Sequence, residues 1–387
     1  MDANKKEPIS QLEIADYAKT WNPNNPYLLW GAGLEGSRAI QLLCEHITIR
    51  GVIDTDIQKH GQLLLGYIIY PYKKAKVFGC KIIITMSAYL EVRERLIMQG
   101  FVEDVDFTYW KKFAGIYFWY YKNRLYSYQI DISITQRCSL NCRHCNMWMP
   151  LFTNPVDRDI NRIFDDIDRY FSCIDYVSVI NLLGGEPFLH KHLPDIIDYI
   201  WNNWADRIGE MQIYTNGTII PDETTIDICL KHNVIMNISD YSNTIFKIKP
   251  FIENFILLLN KNRFNYRIKS YDKWLDFGFP YAKKTSYQEA IKMFISCRAP
   301  FRGLYDGKIY YCHIQASAEQ LGLFEGNDND WVVLDGLDKN RIKVLRLDLG
   351  YLQNGIITFC LRCDGCGKSN KRTIPVAEQM SRKCGGK

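Results

Sequence analysis

Apolar and polar positions alternate along Gln129 to Thr135 (QIDISIT), which predicts a strand with one face turned to a core. Downstream, Ile160, Ile163, Phe164, Ile167, Phe171 and Ile174 recur at helical spacing and predict an amphipathic helix packed on a sheet. The apolar run YVSVINLL then predicts a buried strand that ends at Gly184-Gly185-Glu186-Pro187. MQIYTNG (Met211 to Gly217), NVIMNISD (Asn233 to Asp240) and FNYRIKS (Phe264 to Ser270) continue the series. The amino-terminal third has the same rhythm: a strand Tyr27 to Trp30, a helical stretch to about His46, ITIRGVI running to Asp54, KIIITMS (Lys81 to Ser87), and a helix to Gly100. Strands alternating with helices predict an α/β chain of parallel sheets, with sites at the carboxyl ends of the strands.

The run CSLNCRHC sits between the strand at Gln129 and its helix, and places Cys138, Cys142 and Cys145 at C-x3-C-x2-C spacing. Three thiolates on one loop can hold three irons of a cubane iron–sulfur cluster and leave the fourth open to another ligand. Zinc is an alternative, although it favours a closed tetrahedron of four ligands. Three inert thiols are the bland reading. Strand, cysteine loop, helix, strand and Gly-Gly-Glu-Pro together resemble the core of the radical S-adenosylmethionine (radical SAM) superfamily, over about residues 128–285.

That resemblance implies a partial (β/α)6 TIM-type barrel, a [4Fe-4S] cluster on the three cysteines, and S-adenosylmethionine chelated at the open iron. Reductive cleavage of the sulfonium would give a 5′-deoxyadenosyl radical that takes a hydrogen atom from the substrate, while the protein supplies position and shielding. By the same resemblance Gly184 and Gly185 let backbone approach the methionine amino group, and Glu186 and Pro187 complete the motif. An ordinary turn is the plainer reading of the glycines. Asn216 and Ser239, with Thr215 and Asp240 beside them, are expected near the ribose or methionine, with strand-end capping as the alternative. His144 takes the place usually held by an aromatic near adenine. Arg267 is read either as an anion ligand or as a solvated charge.

Of thirteen cysteines, Cys44, Cys80, Cys173 and Cys229 stand alone among apolar neighbours and are expected in cores. Cys297, Cys312, Cys360, Cys363, Cys366 and Cys384 crowd the last quarter, and GLYDGKIYYC predicts a hairpin turning at Asp306-Gly307. A hairpin flanked by cysteines followed by CLRCDGC resembles the twitch and SPASM extensions of radical SAM enzymes. The resemblance implies one auxiliary [4Fe-4S] cluster on Cys297, Cys312, Cys360 and Cys363, with Cys366 as a substitute ligand. A zinc knuckle in CLRCDGC is the competing reading, and Cys384 is expected as a free thiol. His313, next to Cys312, is a candidate proton acceptor, with a structural role as its alternative.

GAGLEG places Gly31, Gly33 and Gly36 between a strand and a helix, and Asp54 ends the next strand 18 positions after Gly36. This is the Rossmann-like glycine pattern, in which a helix amino terminus receives phosphate and the acid reaches a ribose. The run over about residues 26–105 also resembles the nucleotide-sugar-binding domain that precedes sugar acyltransferases, which implies a nucleotide-linked sugar at these residues, with Asp56 as a further candidate. NAD is the next possibility, and a scaffold that binds nothing is the third. No D-x-H-x-x-G cobalamin signature occurs.

At 387 residues and 47% hydrophobic, the chain can bury two or three cores. The expected division is an extension (1–25), a Rossmann-like domain (26–112), a linker (113–127), the barrel (128–290) and a small twitch/SPASM-like cluster domain (291–387). The first and last dozen residues are expected to lack structure, and the aromatic run Tyr117 to Tyr121 to pack between domains. A net charge of +5 without a basic block argues against a nucleic-acid partner, and the apolar runs are too short for a membrane span. Clustered thiols without a signal peptide fit the cytoplasm. The expectation is a radical SAM enzyme that abstracts hydrogen from a carbon of a sugar or nucleotide-linked sugar and receives electrons from a flavodoxin or ferredoxin. A peptide-modifying enzyme and a non-catalytic zinc- or cluster-binding module are the rivals.

Overall fold

The computed structural model describes residues 8–76, 78–280, 284–298, 301–334 and 340–381. Cys384 therefore lies outside the described residues. The described residues divide into two compact units, one spanning Ile9–Tyr126 and the other beginning at Ser127.

The amino-terminal unit opens on α1 (Gln11–Thr20), whose start is fixed by a capping box: Glu13 N donates to Ser10 Oγ (3.1 Å) and Ser10 N to Glu13 Oε2 (2.7 Å). There follow β1 (Pro26–Trp30), α2 (Leu34–Leu43), β2 (Thr48–Asp54), β3 (Leu63–Leu64), β4 (Tyr67–Pro71), β5 (Lys81–Ile84), α3 (Tyr89–Met98), β6 (Phe107–Tyr109) and α4 (Trp110–Lys122). The sheet order is β3-β4-β2-β1-β5-β6, parallel except for the β3–β4 hairpin. The chain leaves β1 in one direction to reach β2 and returns past it to β5, so the topological switch lies at the carboxyl end of β1. Leu28, Trp30, Ile53, Ile82, Ile84, Leu96 and Phe107 form the core.

Two boundaries differ from expectation. The stretch read as a linker begins inside α4, and the stretch read as an extension contains α1, which packs on α4. Trp21 stacks on Tyr27 (5.9 Å), Tyr27 meets Phe113 (5.4 Å), and Phe113 stacks on Tyr117 (5.6 Å), so the aromatic run closes this unit's own core. Cys44 is exposed because it caps α2 one residue beyond buried Leu43, and Cys80 is half-buried; Cys173 and Cys229 are buried as expected.

The second unit contains β7 (Tyr126–Thr135), α5 (Ile160–Cys173), β8 (Tyr176–Gly184), α6 (Leu193–Trp204), β9 (Ile208–Thr215), α7 (Glu223–Lys231), β10 (Ile235–Asp240), α8 (Lys249–Lys261) and β11 (Tyr266–Ser270). Next come β12 (Trp274–Leu275), α9 (Tyr287–Ser296), β13 (Gly303–Tyr305), β14 (Lys308–Tyr310), α10 (His313–Gln320), β15 (Trp331–Val333), α11 (Arg341–Asp348) and β16 (Thr373–Ile374). On β7, Ile130, Ile132 and Ile134 are buried on one face, and Asp131, Ser133 and Thr135 occupy the other. This is the α/β TIM-type arrangement of strands and helices.

The sheet runs β11-β10-β9-β8-β7-β13-β14-β15. Among the described residues no sixth strand extends it beyond β11; the sheet grows instead at β7, where β13 pairs parallel with Asp131 and Ile132. The predicted hairpin is present, and Asp306 (φ 45°) and Gly307 (φ 69°) give the two-residue turn suited to twisted strands. The cysteine-rich region therefore continues the main sheet and belongs to the same compact unit as the strands before it. No described helix is long and apolar enough to cross a membrane.

A Cβ on Gly36 would lie 2.0 Å from the Gly31 carbonyl oxygen. Gly36→Ala is therefore expected to destabilise the chain by about 1–3 kcal/mol, read as a lower denaturant midpoint.

Candidate functional site

The loop after β7 is pinned at its entry. Thr135 Oγ1 donates to Asp157 (2.7 Å) and accepts from Arg137 N (3.0 Å), while Arg137 bridges Asp157 (2.9 Å) and the Leu189 carbonyl (3.0 Å). The next ten residues bring Cys138, Cys142 and Cys145 together, near enough that Cys142 and Cys145 each raise the pKa of Cys138. Burial is the largest cause and pushes Cys138 and Cys142 up to about 12 and Cys145 upward as well. Each sulfur also receives N–H donors: Cys138 from Leu140 N and, at 3.7 Å, from Asn216 Nδ2; Cys145 from Met147, Trp148 and Met149; Cys142 from Gln379 Nε2 at 3.2 Å. Cys142 is buried and Cys138 and Cys145 are half-buried; ringed by donors, they suit sulfurs that become thiolates when a metal offsets their charge, although among the described residues no three His, Cys, Asp or Glu side chains are already grouped to hold a metal ion.

Gly184 and Gly185 hold the end of β8 against this loop. Gly185 N donates to the Thr135 carbonyl and Glu186 N to the Arg137 carbonyl, both at 2.8 Å. A Cβ on Gly185 would lie 2.0 Å from the Arg137 carbonyl oxygen, and one on Gly184 (φ 147°) would lie 2.4 Å from that of Thr135. Close backbone approach therefore requires both glycines. Pro187 opens a single 3-10 turn, Pro187–Leu189.

Glu186 is fully buried and ties strand ends together. Its carboxylate accepts from Thr215 Oγ1 (2.8 Å), Asn216 N (2.9 Å) and Phe188 N (3.3 Å). Burial outweighs these donors and raises its pKa to about 7. Asn216 Nδ2 also reaches Ser139 Oγ (3.0 Å). His144 is half-buried and faces Glu378 at 3.4 Å. Ser239 bonds the phenol of Tyr241, a residue that senses the charges of Cys142 and Cys145. Asp240 caps its own turn and meets Ser270; Arg267 lies near Glu210, at 3.9 Å.

A row of polar residues crosses the same sheet. Asp131 and Asn181 are buried, and Asn181 Nδ2 donates to Asp131 Oδ1 (2.7 Å). Asn181 stands in register with Gln212, whose side chain receives Asn237 (2.7 Å). His313, the first residue of α10, brings Nδ1 to 2.8 Å from Asp131 Oδ2, with its ring not aligned for a hydrogen bond. Asp131, Asn181, Tyr241 and Gln379 were missed from the sequence. An inward-facing Asp and Asn in otherwise apolar strands were the available signal for the first two.

Five distal cysteines converge. Cys297 ends α9, Cys312 caps α10, and Cys360, Cys363 and Cys366 follow α11. The Cys297 and Cys366 sulfurs lie 3.7 Å apart, Arg298 N donates to Cys366 (3.2 Å) and Gly365 N to Cys363 (3.3 Å). Burial lifts Cys312 to about 12, and the charges of Cys297 and Cys312 reach Cys360, Cys363 and Cys366. Cys366, expected as a substitute ligand, thus lies beside the other four.

In the amino-terminal unit, Asp54 accepts from Ala32 N (2.8 Å) and Asp56 N (2.9 Å) and pairs with Lys59 (3.3 Å). Gly31 (φ 130°) and Gly36 are closed in by backbone, whereas a Cβ on Gly33 would meet nothing within 4 Å.

Residues 132–280 match the model of the radical SAM superfamily. These residues form a radical SAM domain. Members of the superfamily are enzymes, and their cofactors are a [4Fe-4S] cluster and S-adenosylmethionine. Residues 24–104 match a second family, described as C2185-like, N-terminal. The S-adenosylmethionine-dependent nucleotide dehydratase of Selenomonas ruminantium is 29% identical over 94 residues, 24% of this chain and 31% of its own. The GTP 3′,8-cyclase of Limosilactobacillus fermentum is 34% identical over 101 residues, 25% of this chain and 28% of its own. The match spans under a third of these relatives' length. Among solved structures, anSMEcpe with bound AdoMet overlaps 59% of this chain and 80% of its own (TM-score 0.43, 11% identity). BtrN in complex with AdoMet and 2-DOIA overlaps 66% of this chain and 99% of its own (TM-score 0.39, 14% identity). The family match, not these partial overlaps, carries the assignment.

A carboxyl raised by burial keeps its proton to higher pH in the folded chain than in the unfolded one. Stability is then fully present below the ordinary carboxyl range and falls as pH rises to about 7. Glu186 is expected to cost the metal-free chain about 3 kcal/mol across that window. Denaturant curves for wild type and Glu186→Gln should differ in slope against pH up to about 7 and run parallel above it.

Proposed function

We propose that this radical SAM enzyme abstracts a hydrogen atom from a carbon of a sugar, most simply a nucleotide-linked sugar. The observation that carries the reading is the meeting of the loop that bears Cys138, Cys142 and Cys145 with the Gly184–Gly185 strand end. Cys138, Cys142 and Cys145 would hold the [4Fe-4S] cluster, and Gly184, Gly185, Glu186, Pro187, His144, Asn216 and Ser239 would surround S-adenosylmethionine. Bound there, these groups supply one-electron cleavage of a carbon–sulfur bond and an acceptor for the substrate hydrogen.

The protein's own part is to bind, orient and move a proton. Asp131, Asn181, Gln212, Asn237 and His313 give the sheet a polar row whose amide, carboxylate and imidazole groups match a polyhydroxylated substrate. With Nδ1 turned toward Asp131, His313 has Nε2 left to accept a proton from a substrate hydroxyl. The names of the matched relatives, a nucleotide dehydratase and GTP cyclases, favour a nucleotide-bearing substrate over a peptide. Cys297, Cys312, Cys360 and Cys363, with Cys366 in reach, would hold an auxiliary [4Fe-4S] cluster able to take an electron from the substrate. A flavodoxin or ferredoxin would deliver electrons to the first cluster. In the amino-terminal unit, considered by itself, Gly31, Gly33, Gly36 and Asp54 would receive a nucleotide or a nucleotide-linked sugar.

Anaerobic incubation with reductant, S-adenosylmethionine and deuterated candidates should carry deuterium from a nucleotide sugar into 5′-deoxyadenosine. Label arising only from peptides would overturn the sugar assignment. Wild type should hold about eight irons per chain. Cys142→Ala should lose about half of them together with all cofactor cleavage, whereas Cys363→Ala should retain uncoupled cleavage.

A further inference from the structure

The carboxyl-terminal segment, expected to lack structure, returns to the cysteine loop and forms an isolated antiparallel bridge there, Gln379 opposite Cys142. Arg143 N donates to the Glu378 carbonyl (2.7 Å), Met380 N to the Asn141 carbonyl (2.9 Å), and Asn141 Nδ2 to the Met380 carbonyl (3.0 Å). Val376 and Ala377 are buried and anchor the segment, and Ala377 (φ 49°) turns the chain into the loop. Glu378 sets its carboxylate between Arg143 (3.3 Å) and His144 (3.4 Å).

We infer that Gln379, 237 residues after Cys142 in the chain, is a positioning residue for the cluster: its side-chain amide donates to Cys142 Sγ and so raises the cluster's reduction potential and slows its loss. This rests on the radical SAM reading of the triad. The orientation of the amide is fixed by its partners. Oε1 accepts from Asn141 N (2.9 Å), and Nε2 then has its two protons for the Ala377 carbonyl (2.8 Å) and Cys142 Sγ (3.2 Å). A flipped amide would set donor against donor. Cys138 and Cys145 receive backbone amides of their own loop, whereas the donor to Cys142 comes from the other end of the chain. An N–H aimed at a ligating sulfur stabilises the more negative, reduced cluster over the oxidised one, so the potential rises.

The test compares reconstituted wild type with Gln379→Leu, which loses every polar contact of the side chain, and Gln379→Glu, which keeps the acceptor for Asn141 N but sets a carboxylate oxygen toward the sulfur. EPR-monitored redox titration should give a lower midpoint for Leu and a lower one still for Glu. Iron release to a chelator should quicken about tenfold in both. Should Gln379→Leu fail to fold, Gln379→Glu and a variant-free measurement decide: pulsed EPR of reduced, 15N-glutamine-labelled wild type should show one side-chain nitrogen coupled to the cluster. A wild-type chain without a cluster that responds to S-adenosylmethionine overturns this inference together with the reading beneath it. An intact wild-type cluster with unshifted potentials, unchanged chelation rates or no glutamine coupling overturns this inference alone.

Discussion

The end of β8 lies so close to the loop after β7 that no side chain fits between them. The carbonyls of Thr135 and Arg137 occupy the space a Cβ would need at Gly184 and Gly185, and the same carbonyls accept the Gly185 and Glu186 amides. One contact therefore fixes three things. It sets the depth of the cysteine loop, aims the first thiol, and carries Glu186 into the interior, where its carboxylate gathers the start of the loop after β9. A carboxyl buried without a cation is held only by such donors, so the frame under the thiols is rigid at an electrostatic cost.

The thiols obey the same rule. In both groups of cysteines desolvation disfavours the charge that metal binding requires, so a ligating thiolate there needs a cationic core in place. A single sheet connects the two. β7 carries the first loop at its end and pairs at Asp131 and Ile132 with β13, and the β13–β14 hairpin delivers Cys312. His313 follows Cys312 at once, at the start of α10, and turns to Asp131 on β7, so the second group of cysteines and the polar face of the central sheet are joined through one residue.

Much of this was legible because it is local. The cysteine spacing, the Gly-Gly-Glu-Pro turn, the helix of α5 and the two-residue hairpin at Asp306-Gly307 are each written in fewer than fifteen consecutive residues. What escaped depends on distant partners. Gln379 has meaning only beside Cys142, and Asp131 only beside His313 and Asn181, and no periodicity encodes such meetings. The aromatic run of α4 was visible but its partner was not, since Trp21, which meets Phe113 of the same helix edge-on, comes from residues that looked like an extension. Growth of the sheet at β7 rather than beyond β11 was illegible for the same reason, because edge choice follows from packing and not from strand propensity.

The glycine turn of the amino-terminal unit marks where a pattern ceases to imply a ligand. Packing alone requires Gly31 and Gly36, since each is met by backbone at less than 3 Å. Asp54 already caps Ala32 and Asp56 and holds Lys59, so it braces the turn whether or not a ribose is present. Only Gly33, open on its Cβ side, is a glycine that packing does not explain. Glu35 stands in the first turn of α2, where its charge would oppose a phosphate. Arg38, Lys111 and the Trp110 indole, however, gather around that carboxylate and offset it. Lys111 and Trp110 come from the first turn of α4, so that helix sets the charge at the start of α2 as well as closing the core.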